Sequence, residues 1–283
     1  MGTVHGVYLK YVGLSALSYA GYSFLQSAGA AAGAGPSIRM MMEGSGGSSE
    51  ASRQLIKALP ALVMGYSTIL NGAIAVLFKL EWGMGLIGKN RETGQIPLWS
   101  HILFFPFHIP TLLYTHIHTR TFTCKVKDPK SGKSETKRVP VATEVQPGWW
   151  VGGCYGHELN MDWGGIIDLT VEFKEASRDR TKHYLSAPTW DGVPATPAQL
   201  EHAANFAVMA KQEGDVLVHC AHGRGRSTTV MCACLVKAGL FETWEQAFEE
   251  GIKPQRTVCK LNRRMRQNLT AWQEQYVDGK KGQ

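Results

Sequence analysis

The chain has 283 residues, of which 44% are hydrophobic and 19% charged, and it carries a net charge of +7. A disordered chain is excluded, because disordered segments have few apolar side chains and much charge. A small disulfide-stabilised fold is excluded as well, since the six cysteines are too few for this length, and a reducing compartment is expected.

Three long stretches without charged side chains lie within the first 119 residues, between residues 10 and 39, 57 and 79, and 92 and 120. A helix that spans a bilayer needs roughly 20 mostly apolar residues. The second stretch fits best, the first is rich in small residues, and Pro106 and Pro110 would kink the third. We therefore expect residues 1–119 to form a membrane region with two or three transmembrane helices. Buried helices of a soluble core are the alternative.

A short segment after the third stretch carries most of the positive charge. Residues 120–138 contain seven Lys or Arg and two Asp or Glu. Residues 139–283 contain sixteen Lys or Arg and seventeen Asp or Glu, so their charges nearly cancel. Nucleic-acid binding is not expected, because a binder carries its basic surface on the folded domain. We interpret residues 120–139 as a juxtamembrane linker whose positive charge, at residues 120–138, attracts anionic lipids. The positive-inside tendency places this end of a multi-pass protein on the cytoplasmic side of a membrane that the sequence does not identify.

The sequence from about residue 140 is typical of a soluble α/β domain. Apolar segments predict strands at residues 145–153, 164–170 and 216–219. Residues 196–199 (Thr-Pro-Ala-Gln) predict a helix start, in which the threonine caps the helix and the glutamine reaches back to the cap. A further helix is predicted over about residues 227–238. Strands that alternate with helices predict an α/β sheet flanked by helices.

One segment after the last of these strands combines residues that suit phosphate chemistry. In His219–Ser227 (HCAHGRGRS), Cys220 follows the strand directly and Arg226 opens the next helix. The backbone N–H groups of residues 221–226, with glycine at 223 and 225, can curl into a ring at the positive end of that helix and hold a tetrahedral dianion. Arg226 adds a planar fork for two phosphate oxygens. The predicted substrate-binding residues are Ala221, His222, Gly223, Arg224, Gly225 and Arg226.

The same positive field acts on the thiol of Cys220. Helix N-termini and cationic neighbours lower a thiol pKa, so that the thiolate becomes the main form near neutral pH. A thiolate at the bottom of a phosphate cradle is a nucleophile directed at phosphorus.

The string His-Cys-x-x-Gly-x-Gly-Arg-Ser resembles the Cys-x5-Arg signature of the protein tyrosine phosphatase superfamily, and more closely that of the dual-specificity phosphatases. The resemblance covers about residues 140–276, and a membrane region before such a domain resembles membrane-anchored dual-specificity-like phosphatases. It implies that Cys220 becomes phosphocysteine, that Arg226 binds phosphate, that Ser227 helps the cysteine to leave and that His219 supports the thiolate. Ser227 as a simple helix cap and His219 as a packed strand-end residue are the alternatives.

The resemblance also implies a general acid on a loop upstream of the cysteine. Asp191, in the segment Pro188–Pro194 (PTWDGVP), precedes the predicted cap at residue 196 and is assigned this role. It would later activate the water that hydrolyses the phosphocysteine. An ordinary Asp-Gly turn is one alternative, and Asp168 as the acid is another.

No metal or cofactor is expected, because arginine and backbone amides can neutralise the phosphate. His116 and His118 form a His-x-His pair, but no third ligand lies nearby in the sequence.

The predicted organisation is a membrane region (1–119), a basic linker (120–139), a catalytic domain (140–276) and a tail (277–283). The expected activity is hydrolysis of phosphate monoesters through phosphocysteine. Phosphotyrosine, phosphoserine and phosphothreonine on proteins are the substrates that the resemblance implies first. His222, Arg224 and the membrane region also fit a phosphoinositide or phosphatidylglycerophosphate. A catalytically silent phosphate-binding scaffold is the alternative of another class.

Overall fold

A computed structural model describes residues 4–31, 48–127 and 134–279. The chain divides into two compact units, His5–Trp82 and Gly83–Gln283. The second unit therefore includes residues 83–139, which the sequence analysis divides between the membrane region and the linker. Residues 128–133 of that linker and residues 280–283 of the predicted tail lie outside the described residues.

The first unit is a pair of antiparallel helices, α1 (Val4–Ala31) and α2 (Ser48–Leu80). The rings of Tyr11 and Phe78 lie 4.8 Å apart, and the hydroxyl of Ser15 donates a hydrogen bond of 2.8 Å to the carbonyl of Thr68. Among the described helices, only the segment Ile56–Leu80 is long and apolar enough to cross a membrane. The expectation of two or three spans is therefore not supported.

The third charge-free stretch forms two shorter helices in the second unit, α3 (Leu98–Leu103) and α4 (Phe105–Thr121). Proline stands near the first position of α4, where its missing N–H costs nothing, and the two helices meet at Phe104. Phe107 of α4 is fully buried, and its ring centroid lies 6.1 Å from that of Trp190. Helix α4 is thus packed against the part of the chain that carries the predicted general acid.

The predicted linker contains regular structure. Strands β1 (Thr123–Lys127) and β2 (Ser134–Arg138) pair in antiparallel register, with Thr123 opposite Arg138.

A five-stranded mixed sheet forms the centre of the second unit. Its strands are β3 (Ala142–Gln146), β4 (Trp149–Gly152), β5 (Trp163–Thr170), β6 (Thr181–Thr189) and β7 (Val216–His219), in the order β3-β4-β7-β5-β6. Strands β4, β7, β5 and β6 are parallel, and β3 is antiparallel to β4. Every residue of β5 is buried, which is typical of a parallel strand covered on both faces.

Helices α5 (Pro197–Lys211), α6 (Arg226–Lys237), α7 (Trp244–Gln246) and α8 (Arg263–Gln273) follow in the sequence. They share one large hydrophobic core with the sheet, and a smaller core of Ala142, Trp163, Ile166 and Leu217 lies separately. The predicted cap of α5 is confirmed, since Thr196 and Gln199 bond each other's backbone N–H groups. The predicted sheet flanked by helices is confirmed as well.

Candidate active site

Two predicted catalytic residues and one further acidic residue follow the carboxyl ends of three neighbouring strands. Cys220 follows β7, Asp191 follows β6, and Glu172 comes two residues after β5. Because β5, β6 and β7 are parallel, these ends meet at one edge of the sheet. The sheet thereby brings together residues that lie far apart in the sequence.

The segment Cys220–Arg226, called the phosphate loop below, connects β7 to α6. Its turn depends on Gly223, which has a φ of +66° and lies so close to the Gly152 carbonyl that a side chain would not fit. Gly225 has a φ of −120°, a value that other residues adopt freely. Of the two loop glycines, the backbone torsions thus require glycine only at position 223.

The backbone of the phosphate loop is turned so that its carbonyl groups point outward. They accept hydrogen bonds at 2.8–3.2 Å from groups outside the loop, namely Ala221 from Cys154 N, Gly223 from Arg256 Nε, and Arg224 from Lys260 N. Across a trans peptide the C=O of one residue and the N–H of the next point in opposite directions. The N–H groups of residues 222, 224 and 225 therefore face the inner side of the loop, as an anion cradle requires.

Cys220 lies at the bottom of this cradle and is buried. Its Sγ is 3.4 Å from the hydroxyl oxygen of Ser227. Burial by itself raises the pKa of the thiol, but the positive charge of Arg226 and hydrogen bonds from Ser227 and the backbone of Arg224 lower it below its usual value. The Ser227 hydroxyl is thus within hydrogen-bonding distance of the sulfur.

The guanidinium of Arg226 is buried and held from several sides. Its Nη1 donates to the carbonyls of Leu169 at 3.1 Å and Thr189 at 2.6 Å, and its Nη2 donates to Glu172 Oε1 at 2.7 Å. Its Nε–H is buried without a partner among the described residues. An unsatisfied buried donor costs about 1–3 kcal/mol, so a bound phosphate oxygen would relieve that cost.

Sequence reasoning missed Glu172, which holds Arg226 in place. No motif marks this residue, because its partner lies 54 positions away and the two meet only through the pairing of β5 with β7. A glutamate two residues after a fully buried strand is the only signal that was available.

Asp191 lies beside the arginine at the rim of the site. Its Oδ1 is 3.6 Å from Arg226 Nη2, and its side chain is 37% exposed. The preceding residue, Trp190, is fully buried and anchors this loop against Phe107 of α4. The arrangement keeps one carboxylate at the mouth of the site, where a leaving oxygen would depart.

Asp168, the rival acid, lies elsewhere in a buried charge network. It forms an ion pair with Lys89 and accepts hydrogen bonds from Tyr184 at 2.9 Å and from the Thr170 N–H at 2.8 Å. Burial raises its pKa, but the charges of Lys89 and His219 outweigh that effect and lower the pKa to about 2. A carboxylate held in this way cannot supply a proton near neutral pH.

His219 faces the same network. Its Nε2 lies 2.7 Å from Glu175 Oε2 and 3.7 Å from Asp168 Oδ1. Burial by itself lowers the pKa of His219, but the charges of Asp168 and Glu175 outweigh that effect and raise the pKa above its usual value. Lys89 and Glu175, which complete the network, were both missed by sequence reasoning.

By geometry alone, Asp168, Glu175 and His219 could hold a metal ion, since their ligand atoms lie within 4.8 Å of one another. The ammonium group of Lys89 already neutralises Asp168, and His219 already pairs with Glu175. The described cluster is therefore balanced as a set of ion pairs and fits a metal poorly.

Two side chains of the phosphate loop, His222 and Arg224, contact the region before the sheet. The His222 ring lies 4.6 Å from that of His118 and 5.8 Å from that of Tyr114, both on α4. The Arg224 guanidinium stacks 3.7 Å above the ring of Phe122. Burial, followed by the positive charge of neighbours, lowers the pKa of His222 to about 3 even though Asp191 raises it, so this ring is neutral.

Arg256 supports the phosphate loop from outside. It donates to the carbonyl of Gly223 at 2.8 Å and of His222 at 3.3 Å, and also to Pro140 O and Thr143 Oγ1. It thereby ties the loop to the start of β3.

Comparison with known proteins gives one family match. Residues 165–278 match the family model described as protein-tyrosine phosphatase. No curated protein matches the sequence significantly.

Solved structures are similar to part of this chain at low sequence identity. Human DUSP28 is 20% identical, with 48% of this chain and 95% of that chain covered and a TM-score of 0.40. A mouse putative dual specificity phosphatase complexed with zinc tungstate is 22% identical, with 52% of this chain and 96% of that chain covered and a TM-score of 0.38. PTPMT1 in complex with PI(5)P is 20% identical, with 48% of this chain and 96% of that chain covered and a TM-score of 0.40.

The family match contains the phosphate loop together with Asp191 and Glu172, which the structure gathers around Cys220. Residues 165–278 are thus similar to a protein-tyrosine phosphatase domain. The chain is a cysteine-dependent phosphatase.

Proposed function

We propose that this phosphatase hydrolyses phosphate monoesters in two steps through phosphocysteine at Cys220. The observation that carries the proposal is the buried sulfur, 3.4 Å from Ser227 Oγ, under inward-facing amides and beside Arg226. The free Nε–H of Arg226 and the amides of the phosphate loop supply donors for phosphate oxygens.

In the first step the Cys220 thiolate attacks phosphorus, and the bond between phosphorus and the leaving oxygen breaks. Asp191 donates its proton to that oxygen, which departs as an alcohol or phenol. Arg226 and the loop amides stabilise the charge on the three transferring oxygens. Arg226 is held for this task by Glu172.

In the second step the Asp191 carboxylate takes a proton from water, and the oxygen of that water attacks phosphorus. The S–P bond breaks, inorganic phosphate forms, and the sulfur leaves as a thiolate that Ser227 stabilises through its hydroxyl. His219, held by Glu175 and Asp168, lies behind the loop, and its protonated form would support the thiolate.

We assign the enzyme to the dual-specificity type and propose phosphorylated tyrosine, serine or threonine side chains of proteins as its first substrate class. The family description, protein-tyrosine phosphatase, supports this assignment. The His-Cys-x-x-Gly-x-Gly-Arg-Ser string supports the dual-specificity type.

A phospholipid with a terminal phosphate is the second candidate substrate. The candidate membrane-spanning segment Ile56–Leu80 and the basic residues of 120–138 support it, because they would hold the catalytic domain near anionic headgroups. In this organisation the first unit is the anchor, and residues 140–276 face the cytoplasm.

Turnover by the full chain, reconstituted in lipid vesicles, tests the proposal. Phosphotyrosine and phosphothreonine peptides are compared with phosphatidylinositol monophosphate and phosphatidylglycerophosphate in the vesicles. The Cys220→Ser variant should lose on the order of 10⁴-fold or more of the turnover of every substrate that the wild type accepts. Radioactive phosphate from the substrate should remain on acid-quenched wild type and not on the variant.

Equal rates for the wild type and the variant would reject the cysteine mechanism. If only the lipids turn over, the second candidate replaces the first. If no substrate turns over while phosphate still binds, the chain is a phosphate-binding scaffold.

A further inference from the structure

Helix α4 buries two of its polar side chains and exposes all four of its isoleucine and leucine side chains. His108 and Thr115 are buried, and the hydroxyl of Ser100 lies 3.2 Å from His108 Nε2. On the opposite side, large apolar residues at helical spacing are 51–60% exposed, namely Ile109, Leu112, Leu113 and Ile117. A helix that faces water shows the reverse pattern.

The apolar stripe continues on α3. Leu98, Trp99, Ile102 and Leu103 are all exposed, with Leu98 reaching 73%. We call the eight residues of both helices the docking face; they are Leu98, Trp99, Ile102, Leu103, Ile109, Leu112, Leu113 and Ile117. None of these eight residues is charged, and a set of exposed large apolar side chains of this kind is typical of an interaction site.

Chain continuity and charge indicate a lipid surface as the partner. The candidate membrane-spanning segment ends at Leu80, and 17 residues separate it from Leu98. At the other end, α4 runs directly into residues 120–138, whose seven Lys or Arg against two Asp or Glu complement anionic headgroups. Exposed tryptophan at position 99 is also typical of the boundary between headgroups and acyl chains.

We propose that the docking face lies in the plane of an anionic bilayer, at the boundary between headgroups and acyl chains, as a monotopic helix pair does. Helices α3 and α4 then attach the catalytic unit to the membrane surface without crossing it. The pattern explains why a stretch that is apolar enough to resemble a span still has one polar, buried side.

Helix α4 also contacts the phosphate loop, so its attachment to a membrane would determine where the loop lies. Its Tyr114 and His118 rings lie against His222. A bilayer under α4 would therefore place the loop close to the level of phosphorylated headgroups. This consequence rests on the proposed function, whereas the attachment itself does not.

Quenching of Trp99 fluorescence tests the attachment in the full chain, reconstituted in vesicles of zwitterionic and anionic lipid. The signal of Trp99 is the difference between the wild type and the Trp99→Phe variant, so the other seven tryptophans cancel. Lipids brominated along the acyl chain should quench this difference signal, and aqueous iodide should leave it unchanged.

Quenching by iodide, or by neither agent, would overturn the proposal, because Trp99 would then face water or protein. The measurement needs no turnover, so it stays valid if the proposed phosphatase activity fails.

A second experiment replaces three side chains of the docking face, as Ile109→Gln, Leu112→Gln and Leu113→Gln. The matched control is Met209→Gln with Leu240→Gln, which are exposed at 43% and 48% on the same unit. Turnover of a phospholipid in the vesicles should fall about tenfold or more in the triple variant, because three apolar insertions are lost. Hydrolysis of para-nitrophenyl phosphate should stay within about twofold of the wild type in both variants.

An equal loss for both substrates would indicate damage to the site and contradict the proposal. Sedimentation of the chain in detergent identifies a competing occupant. A dimer that the triple variant dissociates would mean that a second copy covers the face, and this result would also overturn the proposal.

Discussion

The phosphate loop and the charged residues behind it are built in opposite ways. The loop is one continuous segment, Cys220–Arg226, whose main contribution is backbone geometry. The support comes from separate segments, with Lys89 before the sheet, Asp168, Glu172 and Glu175 in and after β5, and His219 at the end of β7. The chemistry of this enzyme is therefore local in sequence, whereas the placement of its charges depends on the tertiary fold.

The two regions also differ in how their charges are balanced. Behind the loop, positive and negative groups pair directly, as Lys89 with Asp168 and His219 with Glu175. Inside the loop, Arg226 pairs closely with Glu172, lies 3.6 Å from Asp191, and keeps a free Nε–H for phosphate. Changes on the loop side should affect turnover first, and changes on the support side should affect folding stability first.

The largest expected effect on the loop side is that of Asp191→Asn. The amide cannot donate the proton that a poor leaving group needs, so turnover of alkyl phosphates should fall by about 10²–10⁴. Hydrolysis of para-nitrophenyl phosphate, whose leaving group needs less help, should fall much less. Steady-state rates with a series of leaving groups of increasing pKa check this prediction, and an equal loss across the series would remove Asp191 from the acid role.

Glu172→Gln tests the point where the two regions meet. Removing one charge of a buried pair costs about 3–5 kcal/mol of folding free energy. Without Glu172, the guanidinium of Arg226 is free to turn toward Asp191, which lies 3.6 Å away. A displaced catalytic group costs about 10²-fold in turnover, which kcat/KM and thermal unfolding of the variant would measure together.

The control for this variant is Glu158→Gln, because Glu158 pairs with Arg120 at the surface. Exposed pairs of this kind contribute about 0–1 kcal/mol. If both variants behave alike, Glu172 does not position Arg226.

The contrast between the regions also explains what could be predicted from the sequence. The cap at Thr196, the strands around residues 164–170 and 216–219, and the string at 219–227 are local patterns, and the structure bears out the elements that they predict. Glu172 and Lys89 could not be found, because their partners are set by strand pairing and by a segment far upstream. The stretch that became α3 and α4 was apolar enough to suggest a span, since hydropathy does not record which side of a helix is buried.

Lys89→Met tests the support region alone. The variant leaves the buried Asp168 carboxylate without its ion pair, although Tyr184 and Thr170 still donate to it. We therefore expect a loss near the lower end of the range for broken buried pairs, about 3 kcal/mol, measured by urea unfolding of the full chain in detergent. Adding Asp168→Asn should restore most of the loss, because the unpaired charge is then gone. The control is Lys182→Met, which removes an exposed pair with Glu213 and should change stability little. If the double variant Lys89→Met with Asp168→Asn is no more stable than Lys89→Met alone, the lost Lys89–Asp168 pair is not the cause of the destabilisation.

The smallest expected effect is a dependence of stability on pH that comes from His219. Its pKa is raised in the folded chain by Asp168 and Glu175, against the opposite effects of burial and Lys89. This stabilisation is complete below the unfolded value of about 6.5 and is lost as the pH rises through the folded pKa, at about 1.4 kcal/mol for each unit of difference. The Cys220 thiol has a lowered pKa and would act in the opposite sense, so the measurement belongs in the Cys220→Ser background. The melting temperature should then fall as the pH rises above about 6.5, and less steeply after Glu175→Gln. A melting temperature that rises with pH above this value would contradict the raised pKa of His219.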